Sequence, residues 1–194
     1  VAIMADEFCN PAFVAADLLS QAEHGADSQV LLVTPQESVI AKIEAEVAKQ
    51  LEALPRKELA SKALENSRIV LVKDDTEMLD IINEYAPEHL IISTQNFAEQ
   101  AGQIRNAGSV FLGNYTPESA GDYASGTNHT LPTNGHARTY SGVSLDSFVK
   151  KITFQQISEQ GIQHIGNTIE LMAEAELLEA HKNAVTLRLE SLRR

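Results

Sequence analysis

Five short apolar runs, spaced by stretches long enough to be helices, constrain this chain more than any other feature. Val1–Ala5, Gln29–Thr34, Arg68–Val72, Leu90–Ser93 and Ser109–Leu112 are apolar nearly throughout rather than alternating. A strand reads that way when both of its faces are buried. The intervening segments carry helix signals. Asn10-Pro11 offers an N-cap oxygen and a proline at the first helical position, and Gly25 can close that helix in a left-handed turn. After Pro35, Ile40, Ile43, Val47, Leu51 and Leu54 form one stripe. Pro55 interrupts it, and a second helix runs to about Asn66. Asp75–Tyr85 and Phe97–Asn106 complete the set. Strand alternating with helix predicts an α/β fold: a mostly parallel, Rossmann-like sheet with helices on both faces. If Val1–Ala5 were unpaired, it would leave an edge prone to aggregation.

The pattern changes after residue 143. Leu145–Val149 reads as a short helix and Ile152–Gln155 as a brief strand. From Ser158 the chain is helical, with a turn expected near Gly161. Such a tail has little core of its own and must pack on something else; a second subunit is one solution. The expected division is a domain over 1–143 and a helical C-terminal arm over 144–194.

Between the fifth strand and Gly142 lies a long loop, from Gly113 through His129 and beyond. Compact domains rarely keep so long a stretch without regular structure unless it builds a site. It is not a glycine-serine linker, because it holds Tyr115, Glu118, Asp122, Tyr123 and His129. Asp122 and His129 suit a zinc-like ion, although aspartates in such loops also make simple Asx turns. The loop leaves the carboxyl end of a strand, where open α/β sheets bind ligands. Gln21 and His24, three apart, share a helix face near its C-terminal end. They read either as a metal-ligand pair or as a solvated helix end. Glu88 and His89 adjoin the amino end of a strand and offer two proton acceptors of different basicity, or an ordinary polar turn. Glu176 and His181, five apart, lie roughly 140° from each other around an ideal helix, and by themselves read as surface residues.

A formal charge of −12 argues against nucleic acid and anionic membranes as partners. No apolar run approaches the roughly 20 residues of a membrane span. Cys9 is the single cysteine, so no intrachain disulfide is possible, which fits a reducing cytoplasm. The chain starts at Val1 inside a strand-like run and reads as a piece of something longer.

Five ordered segments then carry a resemblance. They are Leu18-Leu19-Ser20-Gln21-Ala22-Glu23-His24-Gly25, Ala86-Pro87-Glu88-His89-Leu90, Ala107 to Gly113, Pro117 to His129 and Ala180-His181-Lys182-Asn183-Ala184-Val185. Together they resemble the C-terminal half of histidinol dehydrogenase, over essentially all 194 residues. The resemblance implies oxidation of L-histidinol to L-histidine in two hydride transfers to NAD, through an aldehyde, with one zinc per site in an intertwined homodimer. It implies Gln21, His24 and Asp122 as zinc ligands, with His181 as the fourth from the partner subunit. It implies Glu176 as a substrate contact from the same arm, and Glu88 and His89 as the proton acceptors. The zinc ligands and His89 would also contact substrate. The family's N-terminal half, which supplies most of its dinucleotide contacts, is not in this sequence, and the chain alone is expected to be inactive. A zinc-dependent hydrolase or lyase and a non-catalytic α/β dimerisation module are the competing readings.

Overall fold

The computed structural model describes residues 1–193. Five strands, β1 (Ala2–Ala5), β2 (Leu31–Thr34), β3 (Arg68–Leu71), β4 (His89–Ser93) and β5 (Ser109–Leu112), form one all-parallel sheet in the order β3-β2-β1-β4-β5. The first strand is central, not an edge: Ile3 pairs with Leu32 on one side and Ile91 on the other. The direction of winding reverses between β1 and β4.

Side chains alternate across the sheet, so each face builds its own core. Val1, Ile3, Leu32, Ile91 and Phe111 pack against Val14 and Leu18 of α1 (Pro11–Ala22) and Val39 and Ile43 of α2 (Glu37–Ala53). On the other face Met4, Val33, Leu90 and Ile92 pack against Met78, Leu79 and Ile82 of α4 (Asp75–Tyr85). The helix that follows α2, α3 (Lys57–Glu65), buries Ala60 and Ala63 beside Leu19 and Ala22 of α1. The coverage expected on both faces holds for the central strands only. Each outer strand is covered on one face only: Val70 of β3 packs against the second core and Phe111 of β5 lies in the first, while Ile69 and Leu71 of β3 and Val110 and Leu112 of β5 are exposed.

Helix ends follow local chemistry. Asn10 caps α1 by accepting from the Ala12 amide at 3.0 Å. Asp74 caps α4 at the Glu77 amide, and the Glu77 carboxylate accepts from the Lys73 amide at 2.8 Å. Ala86 ends α4 in the left-handed region, φ 52°, and turns the chain sharply into Pro87-Glu88-His89. The helix after β4 is shorter than its sequence suggests: α5 covers Phe97–Ala101 and turns replace it from Gly102 onward.

By internal packing the chain divides into Val1–Phe148 and Val149–Arg194. In the second unit the strand expected over Ile152–Gln155 is absent, and those residues are exposed; a lone extended segment has no sheet to join. Gly161 does not break the helix. Ser158 caps it at the Gly161 amide, 3.0 Å, and α7 runs unbroken over Glu159–Ala175. The turn falls at Leu177, φ 59°, before α8 (Glu179–Ser191). The two helices pack closely at Gly166, where a Cβ would stand 2.9 Å from Leu189. Among the described residues no helix is long and apolar enough to cross a membrane.

Candidate active site

His89 opens β4 on the face that carries Ile3, Ile91 and Phe111, and it is only 5% exposed. Its ring packs beside Phe111, centroids 5.9 Å apart. Neither ring nitrogen has a hydrogen-bond partner. Each faces a carboxylate instead: Nδ1 stands 3.7 Å from Glu118 Oε1 and Nε2 stands 3.6 Å from Asp122 Oδ1. Burial pushes the imidazole below its ordinary pKa, against the opposing pull of Asp122. The ring is therefore neutral near pH 7, with one N–H and one free lone pair.

Both carboxylates come from a helix inside the segment expected to be loop. Pro117, with extended backbone angles, follows a turn at Asn114 and Tyr115, and α6 (Glu118–Tyr123) begins directly after it. Glu118 and Asp122, four apart, share its face. The helix folds back along the sheet instead of continuing past the carboxyl end of β5. Gly121 permits this: a Cβ there would lie 2.6 Å from Phe111 Cε1 and 2.8 Å from Cζ. The site consequently forms at the amino end of β4, not at the carboxyl ends where the sequence rule places ligands. The crevice at those carboxyl ends is closed by polar turns, with Asp6 accepting from the Gln95 amide at 2.8 Å and Asn114 donating to the Phe8 carbonyl at 3.0 Å.

Glu118 is 2% exposed, and Ser20 Oγ approaches its Oε2 at 3.5 Å. Burial raises its carboxyl pKa to about 7, with the Val1 amine opposing and Asp122, Asp17 and Glu88 adding to the rise. Burial also raises Glu88, which has the Val1 amine, Asp122 and His24 as its charged neighbours. Gly108 lets the following strand pass close by, since a Cβ would meet the Glu88 carbonyl oxygen at 2.5 Å. Glu88, Gln21, Tyr85, Asn134 and Arg138 line a cleft of about 1150 Å³.

Of the residues singled out by sequence, Gln21 sits half-buried on the last turn of α1 and opens into that cleft. His24 is exposed just beyond the helix end, its amide on the Gln21 carbonyl at 3.2 Å. It acts electrostatically on both Glu88 and His89. Asp122 acts on the same two groups, so α1's end, the start of β4 and α6 converge. Among the described residues, the ligand atoms of His89, Glu118 and Asp122 all lie within 4.8 Å of one another; His24 is outside that tight group. His129 is exposed. Glu176 and His181 are exposed on the second unit, at the end of α7 and the start of α8.

In the sequence Glu118 reads only as one of the loop's ionisable groups. Its signal was present, as a carboxylate one helical turn before Asp122, but only the helix makes that spacing meaningful. The donor set fits a divalent ion of zinc's type, with imidazole, carboxylate and amide oxygen within one region. The two orphaned nitrogens of a buried histidine are the observation that favours a missing partner. Cys9 plays no part: it is buried in the first core, and burial raises its thiol to about 11.

Comparison with known proteins places these features. The family model described as histidinol dehydrogenase matches residues 1–189. Histidinol dehydrogenase of Bacteroides thetaiotaomicron is 63% identical over 193 residues, covering 100% of this chain and 45% of that protein. The chloroplastic histidinol dehydrogenase of Oryza sativa is 58% identical, with 99% of this chain and 41% of that protein covered. A crystal structure of histidinol dehydrogenase from Elizabethkingia anophelis superposes with a TM-score of 0.93 at 58% identity, over 100% of this chain and 45% of that one. The chain thus spans less than half the length of these relatives.

Proposed function

The chain belongs to the histidinol dehydrogenase family, and from that premise we propose that the enzyme containing it oxidises L-histidinol to L-histidine in two steps through the aldehyde. The observation that carries this reading is His89: a neutral, buried imidazole with both nitrogens unpaired, at the meeting point of α1, β4 and α6.

Zinc, when bound, supplies a Lewis-acidic anchor for the substrate's nitrogens, and NAD, when bound, accepts hydride. Gln21, His24 and Asp122 hold the ion, and His181 completes the set from a second copy in a homodimer, with Glu176 touching substrate from the same arm. The working division is a zinc-site domain over 1–143 and a dimerisation arm over 144–194. In the first oxidation His89 takes the hydroxyl proton as the carbinol carbon loses its hydride, leaving the aldehyde. Glu88 then takes a proton from the water that adds to the aldehyde carbon, while His89 returns its proton to the former carbonyl oxygen, which gives the gem-diol and frees the imidazole. The resulting diol loses a second hydride, and its hydroxyl proton again goes to His89, which leaves the carboxylic acid. A depressed imidazole pKa keeps His89 unprotonated at working pH, and a raised carboxyl pKa makes Glu88 a stronger base than an exposed glutamate. The buried Cys9 is compatible with a reducing cytoplasm.

The test is NADH formation from L-histidinol by the full-length protein that carries this sequence. Two NADH per histidinol are expected, with a fall of about 10²–10⁴-fold in rate for His89→Asn and zinc content unchanged. The 194-residue chain alone is expected to produce none. Wild-type turnover by the His89→Asn protein, or histidinol consumed without NADH, would overturn the reading.

A further inference from the structure

Glu88 sits outside the sheet, in a short corner between α4 and β4, and that corner is strained. Ala86 holds φ 52° without being glycine, and such a conformation persists only where its surroundings over-determine it. Part of the support comes from the segment leading into β5: the Gly108 amide donates to the Pro87 carbonyl and the Ser109 amide to the Glu88 carbonyl, both at 2.9 Å. The rest comes from residues 130–142, the part of the long loop beyond His129.

That segment closes on itself and docks on the corner at three points. Its ends join where the Val143 amide donates to the Thr130 carbonyl at 2.9 Å, and Gly142 leaves room for Leu131, since a Cβ there would stand 2.5 Å from Leu131 Cδ2. Leu131 and the Glu88 carbonyl meet over Gly108, where a Cβ would stand 3.2 Å from Leu131 Cβ and 2.5 Å from the carbonyl oxygen. Asn134 and Gly135, left-handed at φ 52° and 74°, turn the segment beside Tyr85; a Cβ on Gly135 would lie 3.7 Å from the Tyr85 carbonyl oxygen. Arg138 fastens the strap. Its guanidinium donates to the Glu84 carbonyl and, at 2.8 Å, to Glu84 Oε1. Glu84 lies in the last turn of α4, where carbonyls lack donors from their own helix. Thr133, Asn134, Gly135 and Arg138 thereby line the cleft that Glu88 also lines. The ion pair is exposed, 48% at Arg138 and 84% at Glu84, so it adds little to global stability; its effect is local.

Resting on Glu88 as the base that activates water, we propose that Arg138 is a positioning residue: through the strap of residues 130–142 it holds the 84–88 corner, and with it the Glu88 carboxylate where water adds to the aldehyde. His89 depends on it far less, because it is the first residue of β4, is paired in register with Ser109 and is 5% exposed. Loss of the clamp therefore bears on hydration of the aldehyde more than on the first hydride transfer.

The full-length protein that carries this sequence is compared with Arg138→Met, Arg138→Lys and Leu131→Ala. The rate of the first NADH from L-histidinol in a single turnover is measured, and separately the rate of NADH formation from the aldehyde. In Arg138→Met the aldehyde rate is expected to fall about 10–100-fold, the scale of a misplaced reacting group, and the first NADH by a much smaller factor. Arg138→Lys should recover part of the loss, since an ammonium still donates to the Glu84 carbonyl. Leu131→Ala, at the strap's other anchor, should repeat the Arg138→Met pattern and carries the test if that variant does not fold. Deuterium exchange at the Gly108 and Ser109 amides should quicken about tenfold in Arg138→Met, as for the loss of one charge-assisted hydrogen bond. Equal loss of both oxidations in a folded variant, loss of neither, or unchanged exchange at those amides overturns the proposal. If the wild type oxidises neither compound, the reading of the reaction fails, while the exchange comparison still decides whether the strap holds the corner.

Discussion

Replacing Gly121 by alanine tests how α6 is seated, and its effect can be worked from distances. The new methyl carbon would stand 2.6 and 2.8 Å from two ring carbons of Phe111 and 3.3 Å from Thr127 Oγ1. Carbon atoms rest at about 3.5–4.0 Å, so helix and ring must separate by roughly 1 Å. Phe111 cannot swing away freely, because it is 5% exposed, held in β5 and stacked beside His89. Overpacking of this kind costs about 1–3 kcal/mol. Alanine returns up to about 1 kcal/mol through helix propensity, so the net change runs from about zero to a loss of about 3 kcal/mol. At about 2–4 °C per kcal/mol for a chain of this size, a loss near the middle of that range lowers the melting temperature by a few degrees. The larger effect is on the site. Glu118 and Asp122 ride on α6 and both retreat from His89, and disturbing groups around a metal ligand lowers affinity about 10–100-fold. Calorimetric melting and zinc titration of Gly121→Ala measure the two effects, and Phe111→Leu in the same chain should recover part of each. Wild-type melting and wild-type zinc affinity in Gly121→Ala would refute the seating argument.

Two further outcomes follow from other parts of the fold. Ala86 is held at φ 52° at the end of α4; Ala86→Gly should raise stability by about 0.5–1 kcal/mol in denaturant melts, since glycine enters that region without strain. Burial raises the Asp17 carboxyl to about 7, so the folded state prefers it protonated. That preference adds stability fully present below pH 3.8 and lost as pH rises through about 7. Asp17→Asn should therefore melt higher than wild type at pH 8, with the gap closing steadily as pH falls to 3.5.

The sheet was readable because its strands are apolar on both faces, which leaves few alternatives to a covered parallel sheet. Burial of Ile3, Leu32, Ile91 and Ile92 follows directly from that. The outer strands broke the inference: Ile69 and Leu71 are as apolar as their neighbours but exposed, and periodicity cannot say which strand lies outermost. The helix α6 was hidden because Glu-Ser-Ala-Gly-Asp-Tyr has no apolar stripe and contains a glycine. It exists through contact with Phe111, which is a tertiary cause. The same contact carries Asp122 to the amino end of β4, against the usual placement of ligands at carboxyl ends. Glu88 and His89 were legible as proton acceptors by residue type, but the paired carboxylates around His89 depend on that fold-back. In the C-terminal unit, Gly161 read as a turn yet sits inside α7, where the Ser158 cap and the helix's own bonds outweigh its entropy. The reversal instead uses Leu177 in a left-handed conformation, a role that leucine does not advertise.

The account stands on the proposed metal centre of Gln21, His24 and Asp122, completed by His181 of a second copy, beside the proton acceptors Glu88 and His89. Zinc content after exhaustive dialysis, measured on the wild-type chain and on His24→Ala and Asp122→Ala, tests this most directly. About one tightly held zinc per chain in wild type, reduced at least tenfold in affinity in each variant while circular dichroism stays native, is the expected result. Zinc held equally well by folded Asp122→Ala, or none held by wild type at saturating metal, would contradict it.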